Sequence, residues 1–310
     1  MTDSPRFSIA RLFTLLGALW LGVGAFYKLF YGNPGDLPQP FFDWFGGLAS
    51  KDNLYILAIG SELVVITLAI FRPKLGWIAL VATYLMFEAI LAPLIAEGAE
   101  SCGCLGGTIT IKPIVMASID GVILLGLLAS RPWKAAGMQA IAPTAIVGLL
   151  IIAGVVAPVL KLQGASDGPT AKEIARAEEE GRELELPKFV TLTPPEWVGE
   201  FYLDTPLAKW LPEMESLPTD GTWMFWRWTC DHCAGHLAEL AENPPLEPLV
   251  LIRVREKDDT EANSAIYAMP TGAIEVELTE KIQWVISTPA DMRLEGGMIV
   301  EARENIEHEH

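Results

Sequence analysis

Five long apolar stretches fill the first half of this chain, and they constrain its fold more than any other feature. They run at about 9 to 31, 54 to 71, 75 to 96, 113 to 130 and 141 to 161. A bilayer core is crossed by about 20 residues of helix, so each can span, the short second and fourth being flanked by charge or proline in the expected places. The first stretch is too long for the apolar run of a signal peptide and no small-residue cleavage site follows it, so it reads as a helix. The remainder of the chain is of another kind. Overall the 310 residues are 51% hydrophobic yet carry a formal net charge of -17, with the acidic residues concentrated after about position 162. That combination predicts a membrane domain followed by a soluble acidic one, and acidity argues against nucleic acid as a partner.

Basic residues set the expected orientation. Arg6 and Arg11 precede the first stretch, Arg72 and Lys74 join the second to the third, and Arg131 and Lys134 join the fourth to the fifth. All lie on one side, which is the cytoplasmic side. The opposite loops, 32 to 53 and 97 to 112, carry Asp36, Asp43, Asp52, Glu97 and Glu100, and the chain leaves the fifth stretch there. The expectation is an integral protein of the cytoplasmic membrane, if bacterial, with its N-terminus inside and its C-terminal domain outside, where disulfides persist. Within the first outer loop, Phe41-Phe42-Asp43-Trp44-Phe45 reads as an aromatic belt in preference to a short interfacial helix. Gly164 to Pro169 reads as a linker, and the Glu-rich run Ala171 to Leu186 as a solvated helix or tether. The expected division is 1–135 for a four-helix membrane domain, 136–162 for a fifth helix, 163–187 for the linker and 188–310 for the soluble domain.

The four cysteines fall into two close pairs, Cys102/Cys104 and Cys230/Cys233. Trp228-Thr229-Cys230-Asp231-His232-Cys233 stands between a strand-like run, Thr222 to Arg227, and a helix-like run, Ala234 to Glu242, which is the layout of a dithiol redox site. A sulfur at a helix N-terminus is stabilised as thiolate, so Cys230 is the attacking thiol and Cys233 the resolving one. Half of a zinc site and a structural disulfide are the rival readings. His236 reads as part of a solvated helix face in preference to a metal pair with His232. Further elements are expected as a helix at Thr205 to Leu211 and strands at Leu249 to Arg255, Gln283 to Ser287 and Met298 to Ala302, the last entered through Gly296-Gly297, with no long helix between Arg255 and Gln283.

This order of elements, with Cys-x-x-Cys before a helix and Thr288-Pro289 after a strand, resembles the thioredoxin fold. The resemblance implies a cis proline packed beside the redox cysteines, with Thr288, Pro289 and Trp228 helping to bind a protein thiol or disulfide. Two positions depart from the family: Thr229 separates Trp228 from Cys230, and Met224 stands where thioredoxins proper carry a buried acid.

The second pair lies in Ser101-Cys102-Gly103-Cys104-Leu105-Gly106-Gly107, in the outer loop before the fourth stretch. A bridge between neighbours two apart requires a contracted backbone, which suits exchange chemistry; a static staple and a zinc site shared with Cys230 and Cys233 are the alternatives. Beneath it, Glu62, Glu88 and Asp120 interrupt the apolar stretches at a common depth of roughly 10 to 12 Å, within reach of Lys28. Buried ionisable groups in a membrane face the bundle interior, so these four form either a bundle clasp or a proton-handling pocket, with a quinone as candidate cofactor. Lys28-Leu29, Glu62, Cys-Gly-Cys-Leu-Gly and Asp120 together resemble the MauE and DoxX-like membrane proteins. The resemblance implies forming or supplying disulfides outside the membrane. A four-helix bundle joined by a fifth helix to a thioredoxin-like domain is also similar in architecture to bacterial vitamin K epoxide reductase homologues, whose intramembrane Cys-x-x-Cys this chain lacks. The expected function is therefore a membrane-anchored thiol-disulfide oxidoreductase using Cys230, Cys233, Cys102 and Cys104, and the rival is an assembly subunit with static disulfides. No resident metal is expected.

Overall fold

The computed structural model describes residues 8–99, 101–104, 111–130, 138–166, 168–256 and 268–304. Arg6, Glu100, Leu105-Gly106-Gly107, Arg131, Lys134, Asp167, the tail 307–310 and residues 257–267 of the segment expected to lack a long helix lie outside the described residues. The chain divides into two compact units, Met1–Gln163 and Gly164–His310.

The first unit is helical. Helices α1 (Ile9–Tyr31), α3 (Lys51–Phe71), α4 (Pro73–Ala96), α5 (Pro113–Ala129) and α6 (Thr144–Ser166) stand at the five apolar stretches, and a short α2 (Gln39–Phe45) precedes α3. Four of them, α1, α3, α4 and α6, are long and apolar enough to cross a membrane, while α5 is a shorter apolar helix of 17 residues. The aromatic run is thus a short helix, with Pro40 and Phe41 turned inward. The start of the expected linker, Gly164 to Ser166, belongs to α6. Sequence signals mark the ends: Ser8 and Ser50 cap α1 and α3 by accepting from Arg11 N–H and Asn53 N–H, and Pro73 and Pro113 open α4 and α5, where a missing N–H costs nothing.

Helices α1, α3, α4 and α5 pack together as a bundle. Gly17 lets α1 approach Tyr84 and Ile123, and Tyr84 donates to the Gly17 carbonyl at 2.8 Å. Helix α6 lies on α3, where Gly60 faces Val155 and Gly154 faces Leu63. Two cations cover helix C-termini, where carbonyls lack intrahelical partners and the dipole is negative. Arg11 donates to the Ala69 and Ile70 carbonyls of α3 at 2.9 and 2.8 Å. Lys161 of α6 donates to the Lys28 carbonyl of α1 at 2.8 Å, to the Gly32 carbonyl, and to the Tyr55 hydroxyl at 2.9 Å.

The second unit opens with helix α7 (Ala171–Glu179) and is built on a five-stranded mixed sheet. Its strands are β2 (Gly221–Trp226), β3 (Leu249–Val254), β4 (Ile274–Leu278), β6 (Ala290–Glu295) and β7 (Met298–Glu304), in the order β4-β3-β2-β6-β7. The first three are parallel, β6 runs antiparallel to β2, and β7 antiparallel to β6. Strand β1 (Phe189–Thr191) pairs in parallel with β5 (Gln283–Val285) as a separate two-stranded sheet. Alternation along the strands divides the side chains between two faces. Trp223, Phe225, Val250, Ile252, Met292 and Leu294 enter a core closed by Trp197, Tyr202, Trp210 and Met214. Met224, Trp226, Leu249 and Leu251 enter another with Cys233 and Leu237 of helix α8 (Asp231–Glu242).

The helix expected at Thr205 to Leu211 is instead the single 3-10 turn Pro206–Lys209, one of four short turns between Pro194 and Ser216. Pro206 starts it and Pro212 forbids its continuation, since proline lacks the N–H and disfavours the helical region for the residue before it. Strand β4 lies in the stretch where no long helix was expected.

Candidate functional site

Cys230 and Cys233 form a disulfide with Cα atoms 5.2 Å apart. The chain reaches this place because β2, central in the sheet, ends at Trp226 and α8 begins at Asp231. Cys230 is the N-cap of α8, and the Cys233 N–H donates to its sulfur at 3.1 Å, so the first sulfur sits among the unpaired amides of the helix start. Cys230 is half-buried and Cys233 has no exposed surface. Thr288-Pro289 is a cis peptide, and Cys230 Sγ lies 3.5 Å from the Thr288 carbonyl oxygen. Any group approaching Cys230 from that side therefore meets Thr288 beside it.

The turn before Cys230 is pinned by side chains. Arg227 donates to Glu256 at 2.5 Å and to the Trp284 carbonyl at 2.8 Å, while Thr229 donates to the other Glu256 oxygen at 2.5 Å. The Arg253 guanidinium stacks 3.6 Å from the Trp228 ring centroid, which fixes Trp228 against the sheet. His236 is not solvated: it is mostly buried and its Nε2 lies 3.1 Å from Asp291 Oδ2 on β6. The fold brings Asp291 to α8 across 55 residues of sequence, which helical periodicity around the cysteines does not reveal.

In the membrane unit, Cys102 and Cys104 are free thiols, the first buried and the second half-buried. The Cys102 N–H donates to the Ile111 carbonyl at 3.2 Å, and the Cys104 N–H donates to Cys102 Sγ at 3.3 Å. Hydrogen bonding from the Cys104 thiol draws Cys102 below its ordinary pKa, against the opposing effect of burial, and the same bond together with burial pushes Cys104 up. The pair is thus unequal, Cys102 being the easier of the two thiols to deprotonate.

Gly103 has φ +64°, and a Cβ there would overlap the Asp36 carbonyl oxygen of the 3-10 turn Pro34–Asp36. The cysteine loop is therefore seated directly on the turn that follows α1. Gly103→Ala is expected to displace both thiols, seen as at least about a tenfold change in the alkylation rate of Cys104, because left-handed strain and overlap act together at about 1–3 kcal/mol or more.

Beneath this loop, Lys28 and Glu62 form a buried ion pair, and Trp20 donates to Asp120 at 2.9 Å. Glu88 is half-buried beside Gly121 of α5, and its Oε1 has no hydrogen-bond partner among the described residues. A cavity of about 340 Å³ joins three of these four groups to one thiol: Lys28, Glu62, Asp120 and Cys104 all line it, with Phe41 and Phe45 of α2 in its wall. Glu88 is not in the lining. A largely apolar cavity of this size with a few convergent polar groups is typical of small-molecule sites. Lys161 and Trp20, which hold Lys28 and Asp120 in place, were not legible as partners from spacing alone.

Among the described residues no cluster of three or more His, Cys, Asp or Glu is placed to hold a metal ion. No family model, no curated protein and no solved structure matches this chain.

Proposed function

We propose that this protein is a membrane-anchored thiol-disulfide oxidoreductase whose soluble domain is a trimmed, thioredoxin-like module. The observation that carries the reading is a Cys-x-x-Cys disulfide whose first sulfur caps a helix following a central parallel strand, beside the Thr288-Pro289 cis peptide. The sheet order, with α8 leaving β2 and β6 and β7 antiparallel, supports the thioredoxin-like assignment.

In this reading Cys230 exchanges with thiols or disulfides of extracytoplasmic proteins, Cys233 resolves, and Cys102/Cys104 carries electrons to or from the membrane domain. The distribution of Arg and Lys supports a cytoplasmic N-terminus and an external soluble domain. The cavity lined by Cys104 suits a lipid-soluble two-electron carrier of the quinone class. In the oxidising direction the balance is simple: two thiols give two electrons and two protons to the quinone, a Cys102–Cys104 bond forms, and the hydroquinone leaves. In this reading Lys28 and Asp120, both in the cavity lining, hydrogen-bond its oxygens.

The test mixes reduced full-length Cys233→Ser protein with a purified protein carrying one disulfide: the Cys230 thiolate attacks one of its sulfurs, the other leaves as thiolate and is alkylated at once, and no Cys233 thiol is present to resolve the mixed disulfide. A stable covalent adduct through Cys230, released by dithiothreitol and lost in Cys230→Ser/Cys233→Ser, is the expected result. Absence of any adduct contradicts the reading.

A further inference from the structure

A resolving cysteine must lose its proton before it can attack, because the thiolate is the nucleophile. Cys233 has no exposed surface and packs with Met224, Trp226, Leu237 and Leu251, surroundings that favour the neutral thiol. Bulk water is not at hand to take the proton. A group of the protein has to receive it.

The face of the sheet that α8 covers supplies one. Asp291 is the cross-strand partner of Met224 in the β2–β6 ladder, and cross-strand partners project to the same face. Met224 packs with Cys233 and Leu237 there. His236 follows Cys233 by three residues on α8, which places the two side chains on one helix face, about 5–6 Å apart at Cβ. Asp291 Oδ2 lies 3.1 Å from His236 Nε2, and the two side chains are 13% and 16% exposed. The other carboxylate oxygen, Oδ1, is buried and accepts no hydrogen bond among the described residues. Charged groups face His236 from three elements: Asp291 on β6, Glu239 on its own helix at 3.8 Å, and Arg303 on β7, the Cα partner of Asp291. The hydrogen bond to Asp291 raises His236 above its ordinary pKa, while burial and Arg303 oppose the rise.

We propose that the Asp291–His236 pair is the proton acceptor for Cys233, an inference that rests on the redox reading above. With glutathione disulfide as oxidant, the Cys230 thiolate attacks one sulfur, a Cys230–glutathione bond forms, and the first glutathione leaves as thiolate. Cys233 then passes its proton to the pair, with the open Oδ1 as receiving atom. The Cys233 thiolate attacks Cys230 Sγ, the Cys230–Cys233 bond forms, the Cys230–glutathione bond breaks, and the second glutathione leaves as thiolate and takes a proton from solvent. Two electrons have moved from the protein dithiol to glutathione disulfide.

The experiment mixes reduced full-length protein with glutathione disulfide, quenches with acid and follows the glutathione adduct by mass. General base assistance contributes about 10²–10⁴ in rate, so Asp291→Asn and His236→Gln should each slow adduct decay at least about tenfold at pH 7. Adduct formation at Cys230 should stay at its wild-type rate, which also reports that the domain is folded. In Asp291→Asn the decay should climb about tenfold per pH unit between about pH 6 and 8, since deprotonation then depends on hydroxide below an ordinary thiol pKa of about 8.5, whereas the wild type should be flatter. Asp291→Glu should restore the flat profile, which a merely structural role for Asp291 would not produce. If Asp291→Asn fails to fold, His236→Gln and Asp291→Glu carry the comparison. Wild-type decay and slope in the folded variants overturn the inference and leave the redox reading standing. A wild-type protein that never forms an adduct, when Cys233→Ser forms none either, is instead a failure of the redox reading itself.

Discussion

Cys102→Ser/Cys104→Ser protein should complete one exchange with a reduced protein substrate and then stop. The oxidised Cys230–Cys233 pair can accept two electrons once without help, so a single turnover survives. Continued turnover requires those electrons to leave, and Cys102/Cys104 is the other cysteine pair in the chain. Because groups that act as one unit lose most of their rate when any member is removed, steady-state turnover with a soluble quinone should fall at least about 100-fold. The readout is substrate disulfide formed per protein over time, with the burst and the steady state measured separately. A burst of unchanged size followed by the wild-type steady rate would remove Cys102 and Cys104 from the pathway.

The second large effect is expected at Lys28 and Glu62. Their side chains are 9% and 4% exposed, in helices read as membrane spans, and they pair directly. Removing one charge leaves the other buried and uncompensated, which costs about 3–5 kcal/mol, while replacing both with apolar groups of similar volume is often near neutral. Lys28→Met and Glu62→Met should each lower the unfolding midpoint of the purified protein in detergent by that equivalent, and Lys28→Met/Glu62→Met should recover most of the loss. The double variant also separates a clasp from a working pocket. A stable double variant with wild-type turnover makes the pair a clasp only, whereas a stable but inactive one assigns it a part in the chemistry at the cavity that both residues line.

Much of this architecture is legible in the sequence, for physical reasons that differ by region. The helices of the first unit follow from long apolar runs broken only by single charged residues, and prolines 73 and 113 mark where two of them begin. The placement of Cys230 at a helix start followed from the strand-like run before it and the helix-like run after it; counting along helices put Glu62, Glu88 and Asp120 at one depth within reach of Lys28, and of these Glu88 is absent from the cavity lining. Long-range pairings were hidden. Lys161 meets the end of α1 from 133 residues away in sequence, and Asp291 meets His236 from another strand, so no local period points to either. The stretch from Thr205 to Leu211 misled because its apolar spacing is helical, while Pro206 and Pro212 permit a single turn only. The aromatic run at 41 to 45 has too few residues for periodicity to separate a helix from a belt, and packing of Phe41 decides it.

The measurement that tests the central claim most directly is an equilibrium redox titration of the full-length protein against glutathione, with thiol trapping read by mass for each cysteine pair separately. The account predicts two pairs that both titrate and that exchange with each other, so that a disulfide introduced at Cys230–Cys233 appears at Cys102–Cys104 at equilibrium, in proportions set by their potentials. Two pairs that keep their state across the whole glutathione range, or that titrate with no transfer between them, would contradict it and leave the cysteines as static features of a membrane assembly.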